Sequence, residues 1–97
     1  MASLKSRVPP KIMEKDFLLT ILCPDKKLYE GRIKSLIVPS ESGYLGVLAN
    51  HAPLITNLAP GKITIRNPAD EVTVLHAKGK GFLEVFKNNV TLLVGAA

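Results

Sequence analysis

Cys23, His51 and His76 are the side chains of this chain best suited to nucleophilic attack, proton transfer or metal binding, alongside eight carboxylates. Catalysis needs such groups held close together. Cys23 ends an apolar run and is followed by Pro24, the setting of a small buried hydrophobe. A small hydrolase using Cys23 with a histidine is an alternative, but no residue near Cys23 in sequence supports it. His51 sits in a corner between Asn50 and Ala52-Pro53, where it makes either a structural hydrogen bond or a contact with a partner. His76 alternates with Val72 and Val74, so it faces a sheet surface. A single cysteine excludes an internal disulfide framework and a multi-cysteine zinc site, and it fits a reducing compartment. Gly79-Lys80-Gly81 invites a phosphate-loop reading. It lacks the Walker spacing and no helix follows it, so it reads as a glycine-permitted bulge between strands.

These groups must be positioned by strands. The apolar pattern repeats every two residues from Asp16 onward, and no amphipathic helix is visible. Phe17 to Cys23 is a short apolar strand ended by Pro24-Asp25. Lys27 to Glu30 leads into Gly31, read as a bend or bulge. Ile33 to Val38 is a β-branched run that Pro39 should stop, and Ser40-Glu41-Ser42-Gly43 has turn chemistry. Tyr44 to Leu48 and Leu54 to Leu58 are further strands, separated by the Asn50–Pro53 corner. Lys62 to Arg66 alternates, with Ile63 and Ile65 facing inward. Glu71 to Ala77, Phe82 to Phe86 and Val90 to Val94 complete the series. Lys87-Asn88-Asn89 closes a hairpin, because asparagine tolerates positive φ. The expected fold is all-β, an antiparallel sandwich or barrel. Several strands are apolar on both faces, which implies that a partner covers an outer face.

The chain has 97 residues and a net charge of +5, from 13 basic and 8 acidic side chains. That length makes one domain, which buries roughly two thirds of its unfolded surface. No apolar run reaches the roughly 18 residues of a membrane-spanning helix. Residues 1–16 carry Lys5, Arg7, Lys11 and Lys15 against Glu14 and Asp16, with Pro9-Pro10 between them. They read as a flexible basic arm ahead of a domain at 17–97, too short and proline-broken for a transit peptide. The remaining basic residues are scattered and aromatics are few. A small basic β-barrel that binds nucleic acid is therefore the alternative rather than the leading reading.

A longer pattern narrows the field. Gly43-Tyr44-Leu45-Gly46-Val47-Leu48-Ala49-Asn50-His51-Ala52-Pro53-Leu54, followed by Leu58-Ala59-Pro60-Gly61, resembles the signature of the epsilon subunit of F-type ATP synthases. That family reads G-E-L-G-I-L-P-N-H-A-P-L and then L-x-P-G. Leu19 to Gly31, Ile37-Val38-Pro39, Gly81 to Val85 and Asn89 to Leu93 resemble further family segments in the same order. The resemblance covers residues 17–95. It implies a flattened antiparallel β-sandwich of about ten short strands. It also implies a non-catalytic subunit at the foot of the central stalk, with no cofactor. The implied partners are the gamma subunit, the membrane c-subunit ring and, through the stalk, the catalytic head. Nucleic acid and direct membrane insertion are not implied. The implied location is peripheral, on the cytoplasmic face of a bacterial inner membrane or the equivalent organelle membrane.

By position, Glu41, Ser42, Gly43 and Tyr44 correspond to the loop that faces the ring. Cys23, His51 and Thr56 correspond to the gamma-facing surface. Tyr44 stands where the family often has glutamate, which replaces an electrostatic ring contact by apolar area and a hydroxyl. Ala49 replaces a common proline, and Gly79-Lys80-Gly81 replaces a usual S-G-G. Many family members continue as a helical hairpin that can inhibit ATP hydrolysis and, in some, bind ATP. The ending Gly95-Ala96-Ala97 leads to the expectation of no hairpin inhibition and no nucleotide site.

Overall fold

The computed structural model of the chain describes residues 15–95. Residues 1–14 of the expected basic arm lie outside the described residues. Asp16, at the end of that arm, is held by Arg32 through Nε at 2.8 Å. Nine strands follow: β1 Phe17–Cys23, β2 Lys26–Ile33, β3 Ser35–Ser40, β4 Gly43–Leu48, β5 Leu54–Leu58, β6 Gly61–Arg66, β7 Val72–Ala77, β8 Gly81–Phe86 and β9 Asn89–Val94.

Alternation builds the core. Phe17, Leu19 and Ile21 of β1 are buried, while Leu18, Thr20 and Leu22 face the other way and are half-buried. Ile63 and Ile65 of β6 point inward and Lys62 and Arg66 outward, as the sequence predicts. Ile33, Leu36, Val38, Val47, Leu58, Ala77, Leu83, Val85, Val90, Leu92 and Val94 complete the hydrophobic interior, and among the described residues no polar side chain is buried. Each fully buried Leu or Ile contributes about 1.5–3 kcal/mol relative to an exposed one.

The strands form one curled sheet in the order β2-β1-β9-β8-β5-β3-β6-β7, with β4 on the other edge of β3. β3 meets β5 only at Ser40↔Leu58, and there the sheet folds over. The result is a front layer, β2-β1-β9-β8-β5, facing a back layer, β4-β3-β6-β7. β1 and β9 pair in parallel, from Leu18↔Asn89 to Leu22↔Leu93. The antiparallel sandwich is thus closed by one parallel pair that no local sequence signal announces.

Two strand boundaries differ from expectation. Pro39 does not stop β3; it is buried within it, opposite Tyr44. Its carbonyl accepts the Ala59 amide at 2.8 Å, so this backbone edge faces the Ala59-Pro60 corner. Ile37↔Thr64 is the last pairing with β6 before β3 turns to β5. The N–H that proline lacks falls in that gap, where no ladder bond is lost. Gly31 is no bend either: it pairs with Leu19 inside β2. The irregularity lies nearby, where Ile21↔Tyr29 is followed by Leu22↔Lys27 and Leu28 is the extra residue of a bulge.

Gly81 opens β8 rather than forming a bulge. A Cβ there would lie 2.0 Å from the Leu93 carbonyl oxygen, so only glycine lets β9 approach this closely. The β8–β9 hairpin turns on Lys87 and Asn88, both with positive φ (52° and 60°), as a type I′ turn requires. The layers have two ends. The turns at Pro24-Asp25, Glu41-Ser42, Ala59-Pro60 and Lys78-Gly79-Lys80 lie at one, here the Glu41 end. Lys34, the 49–53 corner, the 67–71 loop and the Lys87-Asn88 turn lie at the other, the His51 end.

Candidate partner-binding surfaces

The Glu41 end presents a braced tip. β3 and β4 pair up to Ser40↔Gly43, leaving Glu41 and Ser42 as a two-residue loop. The Ser40 hydroxyl donates to the Gly43 carbonyl and accepts from the Ser42 amide at 3.3 Å. The Asn57 side-chain amide donates to Glu41 Oε1 at 3.5 Å, tying the loop to β5. Gly43 has φ +125°, a conformation that L side chains rarely adopt. Glu41, Ser42, Gly43 and Tyr44 are all exposed, Tyr44 at 62%. The Tyr44 hydroxyl accepts the Lys62 amide at 3.4 Å, so the ring lies across to β6 while one face meets solvent. Four residues adjacent in sequence thus form one rigid, exposed surface element.

The corner at the other end is held differently. Asn50, with φ 66°, donates its amide to Asn88 Oδ1 at 2.6 Å, and Asn88 Nδ2 donates to Asn50 Oδ1 at 3.2 Å. The Asn88 carbonyl also accepts the Leu18 amide at 3.0 Å, so β1, the corner and the final hairpin meet at one residue. His51 is half-buried, with Nδ1 2.8 Å from the Ala52 carbonyl oxygen. A carbonyl can only accept, so Nδ1 carries the hydrogen of this contact.

The remaining sequence-predicted contacts do not join His51 in one patch. Cys23 ends β1 at the Glu41 end, half-buried, its thiol 3.4 Å from Asp25 Oδ1. Leu22, Leu93, Phe82 and Asn57 stand level across the front layer. Cys23 therefore lies near the level of Leu58, and His51 beyond Leu54. Four residues of strand put at least about 14 Å between them. A Cys23–His51 dyad is not assembled. His76 is exposed on the outer face of the back layer, beside Lys62, as the alternation predicts. Thr56 is half-buried and paired with the fully buried Leu83, so it lies on the core-facing side of β5. Among the described residues, no three His, Cys, Asp or Glu side chains stand close enough to hold a metal ion. No described helix is long and apolar enough to cross a membrane.

The outer face of the front layer carries what the sequence reading left unassigned. Ile55 is 72% exposed, Phe82 53% and Leu93 46%. Beside them an open apolar depression of about 420 Å³ runs between Leu22, Cys23, Phe82 and Leu93. Exposed apolar area on an outer sheet face is a candidate interaction surface.

A family model described as "ATP synthase, Delta/Epsilon chain, beta-sandwich domain" matches residues 16–97. The chain belongs to this family. It is 40% identical over 75 residues to the ATP synthase epsilon chain of Leptospira interrogans, covering 77% of this chain and 58% of that one. It is 42% identical over 77 residues to the epsilon chain of Synechococcus sp., covering 79% and 54%. The chain thus spans little more than half the length of these relatives. The fold is also similar to a chain in the mitochondrial ATP synthase of Euglena gracilis, with TM-score 0.79 at 19% identity, covering 97% of this chain and 63% of that chain. A chain in the Tetrahymena thermophila central stalk and c-ring structure gives TM-score 0.69 at 19% identity, covering 86% and 65%. Epsilon chains are structural and regulatory subunits of ATP synthase, not its catalytic ones.

Family signature residues fall at the corner and the tip, both ends of a single sandwich. Ile55, Phe82 and Leu93 escaped the sequence reading. Their signal was present in the strand period, since Ile55 alternates against Leu54 and Thr56 and Phe82 against Leu83. Which of two apolar sets faced the core could not be chosen without the opposite layer.

Proposed function

We propose that this epsilon-type sandwich is a mechanical coupler of the central stalk, holding the gamma subunit and the c-ring in fixed register so that ion-driven rotation supports ATP synthesis. In this reading the exposed Glu41–Tyr44 tip rests on the ring, and the catalytic head is reached through gamma. The domain sits peripherally on the face of an energy-transducing membrane from which the stalk rises, cytoplasmic in a bacterium. A load-bearing joint needs a stiff contact, and the hydroxyl and amide bracing of the tip supplies one.

The exposed apolar side chains on the outer face of the front layer, set around Glu84 and Asn57, carry the proposal. Ile55, Phe82 and Leu93 give gamma an apolar anchor of the kind that dominates protein interfaces. Cys23 borders it at one end and His51 stands beyond the other, so the predicted gamma contacts frame the face. Thr56 supports the β5 backbone from the inner side.

Binding of purified gamma subunit to the chain, measured by calorimetry, tests this. Phe82→Asp sets a charge in the apolar face and lowers affinity by about 100-fold, the cost of a lost hot spot of 2–3 kcal/mol. His51→Ala leaves the fold intact and weakens binding less. Unchanged affinity for Phe82→Asp refutes this face as the gamma contact.

A further inference from the structure

We propose that Gly61 is the positioning residue of the exposed tip: having no side chain, it seats the Tyr44 ring across β3, so that Tyr44 meets the c-ring in one preset orientation. The role assigned to the seat rests on the ring-facing reading of the Glu41–Tyr44 tip; the seat itself rests on packing alone.

Tyr44 leaves β4 opposite Pro39 of β3. Its hydroxyl accepts the Lys62 amide of β6 at 3.4 Å, so the side chain spans three strands, from β4 past Pro39 to β6. The burial of Pro39 records that crossing. Strand alternation puts Ile37 and Pro39 on the same outer face of the back layer. Ile37 is 44% exposed, whereas Pro39 is buried. The Tyr44 ring covers the second and leaves the first open.

Gly61 makes the crossing possible. A Cβ at this position would lie 2.9 Å from Pro39 Cβ, 3.0 Å from its Cγ and 3.2 Å from the Tyr44 hydroxyl oxygen. Pro39 has little room to give, because its φ is fixed by its ring and its carbonyl is tied to the Ala59 amide at 2.8 Å. A methyl group here therefore strains the adjoining bond between the Lys62 amide and the Tyr44 hydroxyl. Gly46 is the contrast. It stands on the same strand face as Tyr44, two residues on, and pairs with Ile37 without a break in register. A Cβ at Gly46 meets nothing within 4 Å. Of the two glycines beside the tip, only Gly61 is in contact with the tyrosine.

A seated tyrosine suits a contact that carries load. A freely rotating side chain must be immobilised when a partner binds, which lowers affinity by about two- to tenfold. Fixing the ring beforehand removes that loss. At 62% exposure the seated ring still offers its surface to a partner.

Hydrogen exchange of the Lys62 amide, read by NMR, tests the seat, and affinity for purified c-ring in mild detergent tests its role. Tyr44→Phe and Gly61→Ala each speed Lys62 exchange about fivefold, the loss of one hydrogen bond, while Gly46→Ala leaves it within about twofold. Tyr44→Ala lowers ring affinity about 30-fold, as loss of an aromatic hot spot does. Gly61→Ala lowers it about fivefold, but less than about twofold once Tyr44→Ala is present. That non-additivity marks a residue acting through Tyr44, and a merely structural glycine lacks it. Gly61 has φ +157°, which L side chains rarely adopt, so gamma affinity is measured in parallel to show that each variant is folded. Should Gly61→Ala unfold, Tyr44→Phe still decides, with faster Lys62 exchange and about threefold weaker ring binding expected from the unanchored ring. Unchanged exchange and ring affinity in Tyr44→Phe, or an equal loss on Gly61→Ala with and without Tyr44, overturns the proposal. Ring affinity unmoved by Tyr44→Ala, with exchange as expected, overturns the ring-facing reading and with it the role of the seat, so the two failures are told apart.

Discussion

Asn88 ties three parts of the sandwich together, and replacing it by glycine and by alanine separates hydrogen bonding from backbone conformation. Both changes remove the Asn88 side-chain bonds to Asn50, at 2.6 and 3.2 Å. Each such bond contributes about 1 kcal/mol net, so the shared loss is about 2 kcal/mol. Alanine must also hold φ 60°, which costs an L residue about 1–2 kcal/mol. Glycine adopts that angle freely but loses about 0.4–1 kcal/mol more chain entropy on folding. Asn88→Gly is therefore destabilising by about 2–3 kcal/mol and Asn88→Ala by about 3–4 kcal/mol. Urea unfolding followed by circular dichroism reads both, with an unchanged slope confirming that only stability moved. The backbone bond from Leu18 to the Asn88 carbonyl survives in each variant, so the corner loosens without loss of the hairpin. If alanine proves no worse than glycine, or if either lies within about 0.5 kcal/mol of the wild type, the account of this junction is wrong.

Gly81→Ala places a methyl group 2.0 Å from the Leu93 carbonyl and lowers stability by about 2–4 kcal/mol, seen in the same urea titration; a neutral result would show that β9 can retreat. Asp70 has its carboxyl held below the usual 3.8, first by the hydrogen bond from Lys34 and then by that charge. A depressed carboxylate stabilises the fold above its ordinary value and loses that contribution as pH falls through the folded value. The wild type should therefore lose thermal stability on acidification below about pH 3.8 more steeply than Asp70→Asn, and parallel Tm–pH curves would contradict the pairing.

Much of the sandwich was legible because β-strands write their burial in a period of two. Ile63 and Ile65 declared their face, Lys87-Asn88 declared a turn, and Asn50–Pro53 declared a corner. Local rules misled at Pro39 and Gly31. A proline ends a strand only if its missing donor is needed, and here β3 is changing neighbours at that residue. A glycine marks a bulge only where the ladder slips, and the slip occurs at Leu28. What no window of sequence could show is nonlocal register. The β1–β9 parallel pair and the separation of Cys23 from His51 both follow from which strands meet. The tip was readable as a unit since Glu41 to Tyr44 are consecutive, whereas the apolar face over Ile55, Phe82 and Leu93 exists only once β5, β8 and β9 are side by side.

The coupling role is tested most directly by capturing the tagged chain from membranes of its source cell in mild detergent and identifying its companions by mass spectrometry. The account predicts gamma, c-ring and catalytic-head subunits together, with gamma lost from the Phe82→Asp chain. Recovery of the chain without any of them, or with nucleic acid in their place, would contradict it.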